Sequence, residues 1–200
     1  ICTLPELLVV LPDALPRLTF FSAGEPMWRG GLSAHASLFL HADRPLISEN
    51  ATSSLLHEVM HTALGLRPRD GNDWIVEGLA EYYSIQLLRR GHAISASRAK
   101  KAFAQQAEWG AQSTALCGGE STAATTALAV TIFSKLDREL LEKSDGKVDL
   151  DSLVPKLVNS DIVLNSLIVA VEVMIGVTHD ALHSDNLPGC SSMAPGSQEL

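Results

Sequence analysis

The sequence predicts an α+β fold, with a small mixed β-sheet in about residues 1–45 and a mainly helical part over 48–185. Two observations lead to this prediction: short apolar runs bounded by proline and glycine come first, and longer stretches with helical apolar spacing follow. The 200 residues, 46% hydrophobic and 19% charged, suffice for one folded core. We therefore expect a single domain over 1–200 that ends in a loose tail at 186–200.

Three apolar segments near the start are candidate strands. The first is 7–11, which stops at Pro12, and the second is 18–22. Gly30 and Gly31 then lead into 32–41, whose small and apolar side chains are suited to a third strand.

The longer segments that follow are expected to be helices. The first should begin near 48–50, where serine and asparagine are good N-caps, and end before Gly65. Apolar residues on two sides predict that this helix is buried, and its remaining face carries His57, Glu58 and His61. Further helices are expected over 74–90, 94–108, 122–142, 150–158 and 162–174.

His57, Glu58 and His61 form an H-E-x-x-H pattern. On a helix the two histidines share one face and can bind one metal ion, while Glu58 can act on a water molecule beside it. A catalytic Zn²⁺ takes three protein ligands, and Glu77, early in the next predicted helix, is the first candidate for the third. Glu81 follows four residues later on the same face and is the alternative.

The segments HEVMH at 57–61 and VEGLAEYY at 76–83 resemble the gluzincin metallopeptidases, which share a thermolysin-like catalytic domain. The resemblance is strongest to the glycyl aminopeptidase and aminopeptidase N families. It implies hydrolysis of a peptide bond at one Zn²⁺ ion, with Glu58 as general base and Glu77 as third ligand. It also implies that Glu81 accepts a hydrogen bond from His57 or His61.

The residues before the motif are similar to the same families. Gly30, Gly31, Leu32 and Ser33 resemble their G-G-x-E segment, an edge strand that lines the cleft and pairs with an extended peptide substrate. Ser33 stands where these families have a glutamate that binds the free amino group of the substrate. This difference disfavours a strict aminopeptidase and leaves exopeptidase or endopeptidase action open.

These families also use a tyrosine that stabilises the oxyanion, and the corresponding segment here, 124–129, contains none. Tyr82 and Tyr83 are the candidate oxyanion donors, and His35 and His41 are further substitutes. Loss of one such donor lowers the rate about 10²–10³-fold. The alternative to a peptidase is therefore a zinc-binding pseudo-peptidase, which binds peptides or a partner protein without efficient cleavage.

Composition limits the partners of the protein. A net charge of −8 without a basic cluster argues against nucleic acid, and no apolar run is long enough to suggest membrane insertion. A peptide or protein substrate is expected, and the oligomeric state is open. The spacing of Cys2, Cys117 and Cys190 fits no zinc or redox motif, so one disulfide and unpaired thiols are both open. A disulfide would suit a periplasmic or secreted protein, which we favour.

Overall fold

The computed structural model describes residues 18–27, 29–34, 36–69, 71–176, 180–183 and 186–190. The predicted strand at 7–11, Cys2, His35 and most of the predicted tail lie outside these ranges. Within them, six α-helices are combined with two small sheets, which agrees with the predicted α+β class.

The strands are β1 Thr19–Ala23, β2 Gly31–Ala34, β3 Ser37–His41, β4 Arg67–Pro68 and β5 Asp161–Ile162. The helices are α1 Ser54–Leu64, α2 Asp73–Arg90, α3 Ala96–Gly110, α4 Ala123–Lys143, α5 Leu150–Leu153 and α6 Leu164–Ile175, and a 3-10 turn, Val154–Lys156, follows α5.

The larger sheet has β3 in its centre. β1 pairs with β3 in parallel, and β2 pairs with β3 in antiparallel register, so β2 is an edge strand among the described residues. The strand predicted at 18–22 is confirmed to within one residue as β1. The single strand predicted over 32–41 is wrong, because the chain reverses between β2 and β3. Ala36, with φ of 55°, takes the left-handed conformation at that reversal.

Helix α1 begins later than predicted, at Ser54 rather than near 48–50. Ala51 has a φ of 60°, which is incompatible with a right-handed helix, so the helix cannot start before it. Ser53 is the N-cap, and its hydroxyl accepts a hydrogen bond from the backbone N–H of Leu56 at 3.3 Å. Gly65, with φ of 55°, ends the helix where the sequence predicted.

The other long helices lie within two residues of their predicted bounds. The helix predicted over 150–158 is wrong beyond Leu153, where it tightens into the 3-10 turn. Pro155 explains the change, because proline lacks the backbone N–H that a continuing α-helix requires and its ring crowds the preceding turn.

Helix α2 is packed against both α1 and α4 and is largely buried. A Cβ atom on Gly78 would lie 2.4 Å from the Cβ of Ala129 and 2.9 Å from a ring carbon of Phe133, both on α4. The absence of a side chain at Gly78 therefore lets the two helices approach closely. This packing fixes the position of the neighbouring residue, Glu77.

The link between α1 and α2 is braced by the segment that follows α5. The backbone N–H of Asn159 donates to the carbonyl of Leu64 at 2.8 Å, and β4 pairs in parallel with β5. Arg67 and Arg69 both pair with Asp161 on the surface. These contacts hold the connection in the conformation that places α2 beside α1.

Cys117 and Cys190 form a disulfide, which decides between the two alternatives that the sequence left open. The backbone N–H of Leu116 also donates to the carbonyl of Pro188 at 2.7 Å, so the end of the described chain is held against this loop. Among the described helices, none has both the length and the apolar character required to cross a membrane.

Candidate metal centre

His57 and His61 lie one turn apart on α1 and face each other. Their Nε2 atoms are 3.0 Å apart, and the ring centroids are 4.7 Å apart. Each side chain is 16% exposed, so the two rings are largely shielded from bulk water. The i, i+4 spacing predicted this arrangement.

Glu77 extends from α2 to the same point. One carboxylate oxygen, Oε2, lies 3.2 Å from Nε2 of His57, and Oε1 lies 3.3 Å from Nε2 of His61. The three residues form a group that could hold a metal ion, with ligand atoms all within 4.8 Å of one another. Zinc bonds of about 2.0–2.2 Å in a tetrahedral site separate neighbouring ligand atoms by roughly 3.3–3.6 Å. The observed separations are close to this value, so the residues fit a zinc ion.

The electrostatics of the cluster also favour a cation. Burial alone would lower the pKa of His57, but hydrogen bonds with Glu77 and Glu81 outweigh it and raise the pKa to about 10. Burial alone would raise the pKa of Glu77, yet hydrogen bonds from His57 and His61 hold it below its usual range. The carboxylates therefore stabilise positive charge at this point, which a bound metal ion would supply.

Glu81 holds the other side of the His57 ring. Its Oε2 lies 3.0 Å from Nδ1 of His57, which leaves Nε2 directed at Glu77 and His61. The hydroxyl of Ser84 donates to the backbone carbonyl of Glu81 at 2.9 Å and also lies 3.3 Å from the same carboxylate oxygen. This geometry favours Glu77 over Glu81 as the third ligand and makes Glu81 an orienting group. Ser84 was missed in the sequence, although its position three residues after Glu81 placed it on the same face.

Glu58 lies against the start of β2. A Cβ atom on Gly31 would be 2.9 Å from Cγ and 3.0 Å from Oε1 of Glu58. Only a glycine lets the backbone of β2 come this near to the carboxylate. The structure therefore brings together two predicted site residues that are far apart in the sequence.

The other residues predicted to bind substrate surround this contact. Gly30 is buried, and its carbonyl accepts a hydrogen bond from the backbone N–H of His41 at 3.2 Å. Leu32 is 57% exposed on β2, and Ser33 is half-buried beside it. The outer edge of β2 has no strand partner in the described part of the chain, so its backbone groups are available to an extended peptide. His35 lies outside the described residues.

Tyr82 and Tyr83 do not contribute their hydroxyl groups to the cluster. The hydroxyl of Tyr82 donates to Asp137 at 2.8 Å, and that of Tyr83 donates to Asp151 at 3.0 Å. Both side chains are almost fully buried. On helix α2 they are turned about 100° and 200° from Glu81, because successive residues advance by about 100°. The prediction that either tyrosine is an oxyanion donor is therefore not supported by these contacts.

Comparison with known proteins shows that the fold is shared with a solved structure. No protein-family model matches the chain, and no curated protein matches it. Its structure is similar to the crystal structure of an aminopeptidase N family protein from Idiomarina loihiensis, with a TM-score of 0.59 and 18% sequence identity. The match covers 94% of this chain but 39% of the other, so the chain spans well under half of that protein. At this identity the likeness shows a shared fold.

Proposed function

We propose that this chain is a zinc-dependent metallopeptidase domain of the gluzincin type, with a thermolysin-like catalytic fold. One observation carries the proposal: ligand atoms of His57, His61 and Glu77 converge within 4.8 Å. Glu58, which follows His57 in the sequence, lies against Gly31 of β2. The resemblance of the two motifs and the fold shared with an aminopeptidase N family protein support it.

The proposed reaction assigns a separate task to each side chain. Zinc, when bound, acts as a Lewis acid on a carbonyl group and lowers the pKa of water to about 7. Glu58 takes a proton from the attacking water on its carboxylate and later gives that proton to the leaving amine. Glu81 keeps His57 in the tautomer that carries its proton on Nδ1, so that Nε2 has a free lone pair.

The substrate we propose is an extended peptide or protein segment lying along β2. Because β2 is at the sheet edge and Gly31 adjoins Glu58, a peptide paired with this strand would pass the general base. Ser33 offers no charge for a free amino group, so we propose that substrates are not selected by their N-terminus.

A pseudo-peptidase is the second candidate, and the contacts of Tyr82 and Tyr83 favour it. Both hydroxyl groups are used in buried hydrogen bonds with Asp137 and Asp151. A site without a strong oxyanion donor would bind zinc and a peptide but cleave slowly.

We also propose that the protein acts in an oxidising compartment, such as the periplasm or the extracellular space. The disulfide between Cys117 and Cys190 supports this location, because such bonds rarely persist where thiols are kept reduced.

A cleavage assay with a matched variant tests the proposal. Zinc-loaded protein and its Glu58→Gln variant are incubated with a mixed peptide library, and the products are measured by mass spectrometry. We expect cleavage by the parent and a loss of at least about 10²-fold in the variant, with zinc content unchanged. Equal cleavage by both would contradict the role of Glu58. No cleavage by either, despite bound zinc, would favour the pseudo-peptidase.

A further inference from the structure

A cleft of about 420 Å³ lies between the larger sheet and the start of α1. Its lining includes Arg29, His41 and Arg44. Ser48, Thr52 and Ser54, which precede or begin α1, also line it. Basic and hydroxyl groups therefore dominate the lining that the described residues provide, in which Asp43 is the single acidic residue. The guanidinium of Arg29 is paired with Glu25, which leaves Arg44 as the lining arginine without a carboxylate partner in that part of the chain.

Arg44 is held in place by neutral groups. Its Nε donates to the hydroxyl of Ser54 at 2.7 Å, and Nη1 donates to the carbonyl of Arg29 at 2.8 Å. No carboxylate among the described residues forms an ion pair with it. The guanidinium is thus oriented, but its positive charge is not neutralised there. It can therefore pair with an anionic ligand.

The start of α1 adds to this positive character, whereas the His41 imidazole does not. His41 is 2% exposed, and its Nδ1 accepts the backbone N–H of Asp43 at 3.2 Å. Its Nε2 has no hydrogen-bond partner in the described ranges, but this atom is sealed from solvent, so a ligand in the cleft does not reach it. The first turn of α1 contains no acidic residue, so the partial positive charge of its N-terminus is not offset there.

The cleft lies next to the proposed path of the substrate. Arg29 immediately precedes Gly30 and Gly31, and Gly31 adjoins Glu58. Extended backbone advances about 3.3 Å per residue, so the cleft is within about two residues of the point where a peptide on β2 passes Glu58. A carboxylate on a peptide residue near the scissile bond would reach it.

We propose that this cleft binds a carboxylate of the peptide substrate, either an acidic side chain or the C-terminus, and so selects acidic peptides. This inference rests on the proposed peptidase function. The guanidinium of Arg44 would pair with the carboxylate, and the partial positive charge at the N-terminus of α1 would add to the attraction.

The test separates binding from cleavage. Hexa-alanine peptides carry Asp or Asn at each position in turn, with a free or amidated C-terminus. Their affinity for the zinc-loaded Glu58→Gln variant is measured by calorimetry, and kcat/KM is measured with the parent protein. Arg44→Gln and Arg29→Gln are compared with Arg138→Gln, which removes an exposed charge from α4 outside the cleft. Inorganic phosphate is titrated as a free anion.

We expect one Asp position, or the free C-terminus, to improve affinity about tenfold over its neutral counterpart. Arg44→Gln should abolish that ratio and Arg29→Gln should reduce it, whereas Arg138→Gln should leave it unchanged. Equal affinities for acidic and neutral peptides overturn the inference, as does a ratio that survives Arg44→Gln. Tight phosphate binding without peptide discrimination overturns it in favour of a free-anion site. Discrimination in binding without cleavage supports the cleft while contradicting the peptidase function.

Discussion

Replacing Gly31 by alanine should displace Glu58 without disturbing the proposed metal ligands. The added Cβ would lie 2.9 Å from Cγ and 3.0 Å from Oε1 of Glu58. Carbon atoms in contact normally stay about 3.5–4.0 Å apart, so the Glu58 side chain must move by about 0.6–1 Å. A displacement of this size at a reacting group costs about 10- to 100-fold in rate.

The stability of the variant should change little. Glu58 is a flexible side chain and can move away, and an alanine restricts the unfolded chain, which stabilises the protein by about 0.4–1 kcal/mol where the backbone allows it. The three atoms nearest to the new methyl group all belong to Glu58, and none belongs to His57, His61 or Glu77. We therefore expect a fall in kcat/KM while zinc affinity and the free energy of unfolding stay near the parent values.

The assay compares Gly31→Ala with Gly24→Ala, because a Cβ at Gly24 meets nothing within 4 Å. Cleavage of a quenched fluorescent peptide gives kcat/KM, a chelator competition gives zinc affinity, and urea unfolding gives stability. Full activity in Gly31→Ala would refute the placement of Glu58 beside β2. A loss of activity accompanied by lost zinc would refute the view that only the base is moved.

Three further predictions concern the residues around the cluster. Glu81→Gln should weaken zinc affinity about 10- to 100-fold in a chelator competition, because His57 loses the carboxylate that orients it. Gly78→Ala should destabilise the protein by about 1–3 kcal/mol in urea unfolding, because the methyl group would lie 2.4 Å from the Cβ of Ala129. Alanine favours a helix over glycine by about 1 kcal/mol, and the cost of overpacking exceeds this gain. Burial, followed by nearby aspartates, raises the pKa of Tyr82 and Tyr83 above 10.0, so the native protein should show no tyrosinate absorption at pH 10, where the unfolded chain does. The unfolded chain releases these protons at a lower pH than the folded protein. The contribution of the two tyrosines to the free energy of unfolding is therefore fully present below about pH 10 and is lost as the pH rises further.

Each of these predictions has a contradicting result. Unchanged zinc affinity in Glu81→Gln would remove its orienting role, and a more stable Gly78→Ala protein would contradict the close approach of α2 and α4. The protein contains only two tyrosines, so a tyrosinate signal from folded protein at pH 10 would directly contradict their burial.

The candidate metal ligands could be predicted from the sequence because their geometry is local. His57 and His61 face each other whenever their segment is helical, and Glu81 shares a face with Glu77 for the same reason. The pairing of the two helices needed only a short connection, which the glycine and polar residues at 65–73 indicated. The distance between neighbouring helices, in contrast, is set by tertiary contacts that the sequence does not reveal, such as the close approach of Gly78 to Ala129.

Features that depend on long-range contacts or on backbone strain were not predictable in this way. The start of α1 and the reversal after β2 are set by positive φ angles at Ala51 and Ala36, and alanine carries no sequence signal for that conformation. The hydroxyl groups of Tyr82 and Tyr83 are used by aspartates 55 and 68 residues away. Such partners are set by the tertiary fold, so the sequence could not show that these tyrosines, named as substitutes for the missing family tyrosine, have their hydroxyl groups engaged elsewhere.

The most direct test of a zinc site at the junction of α1 and α2 is an anomalous difference map, recorded at the zinc absorption edge from crystals grown without added metal. The proposed function predicts one strong peak bonded to Nε2 of His57, Nε2 of His61 and a carboxylate oxygen of Glu77, with Glu81 hydrogen bonded to Nδ1 of His57. A peak ligated by other residues would contradict it, as would a fully ordered cluster that shows no peak even after the crystals have been soaked in a zinc salt.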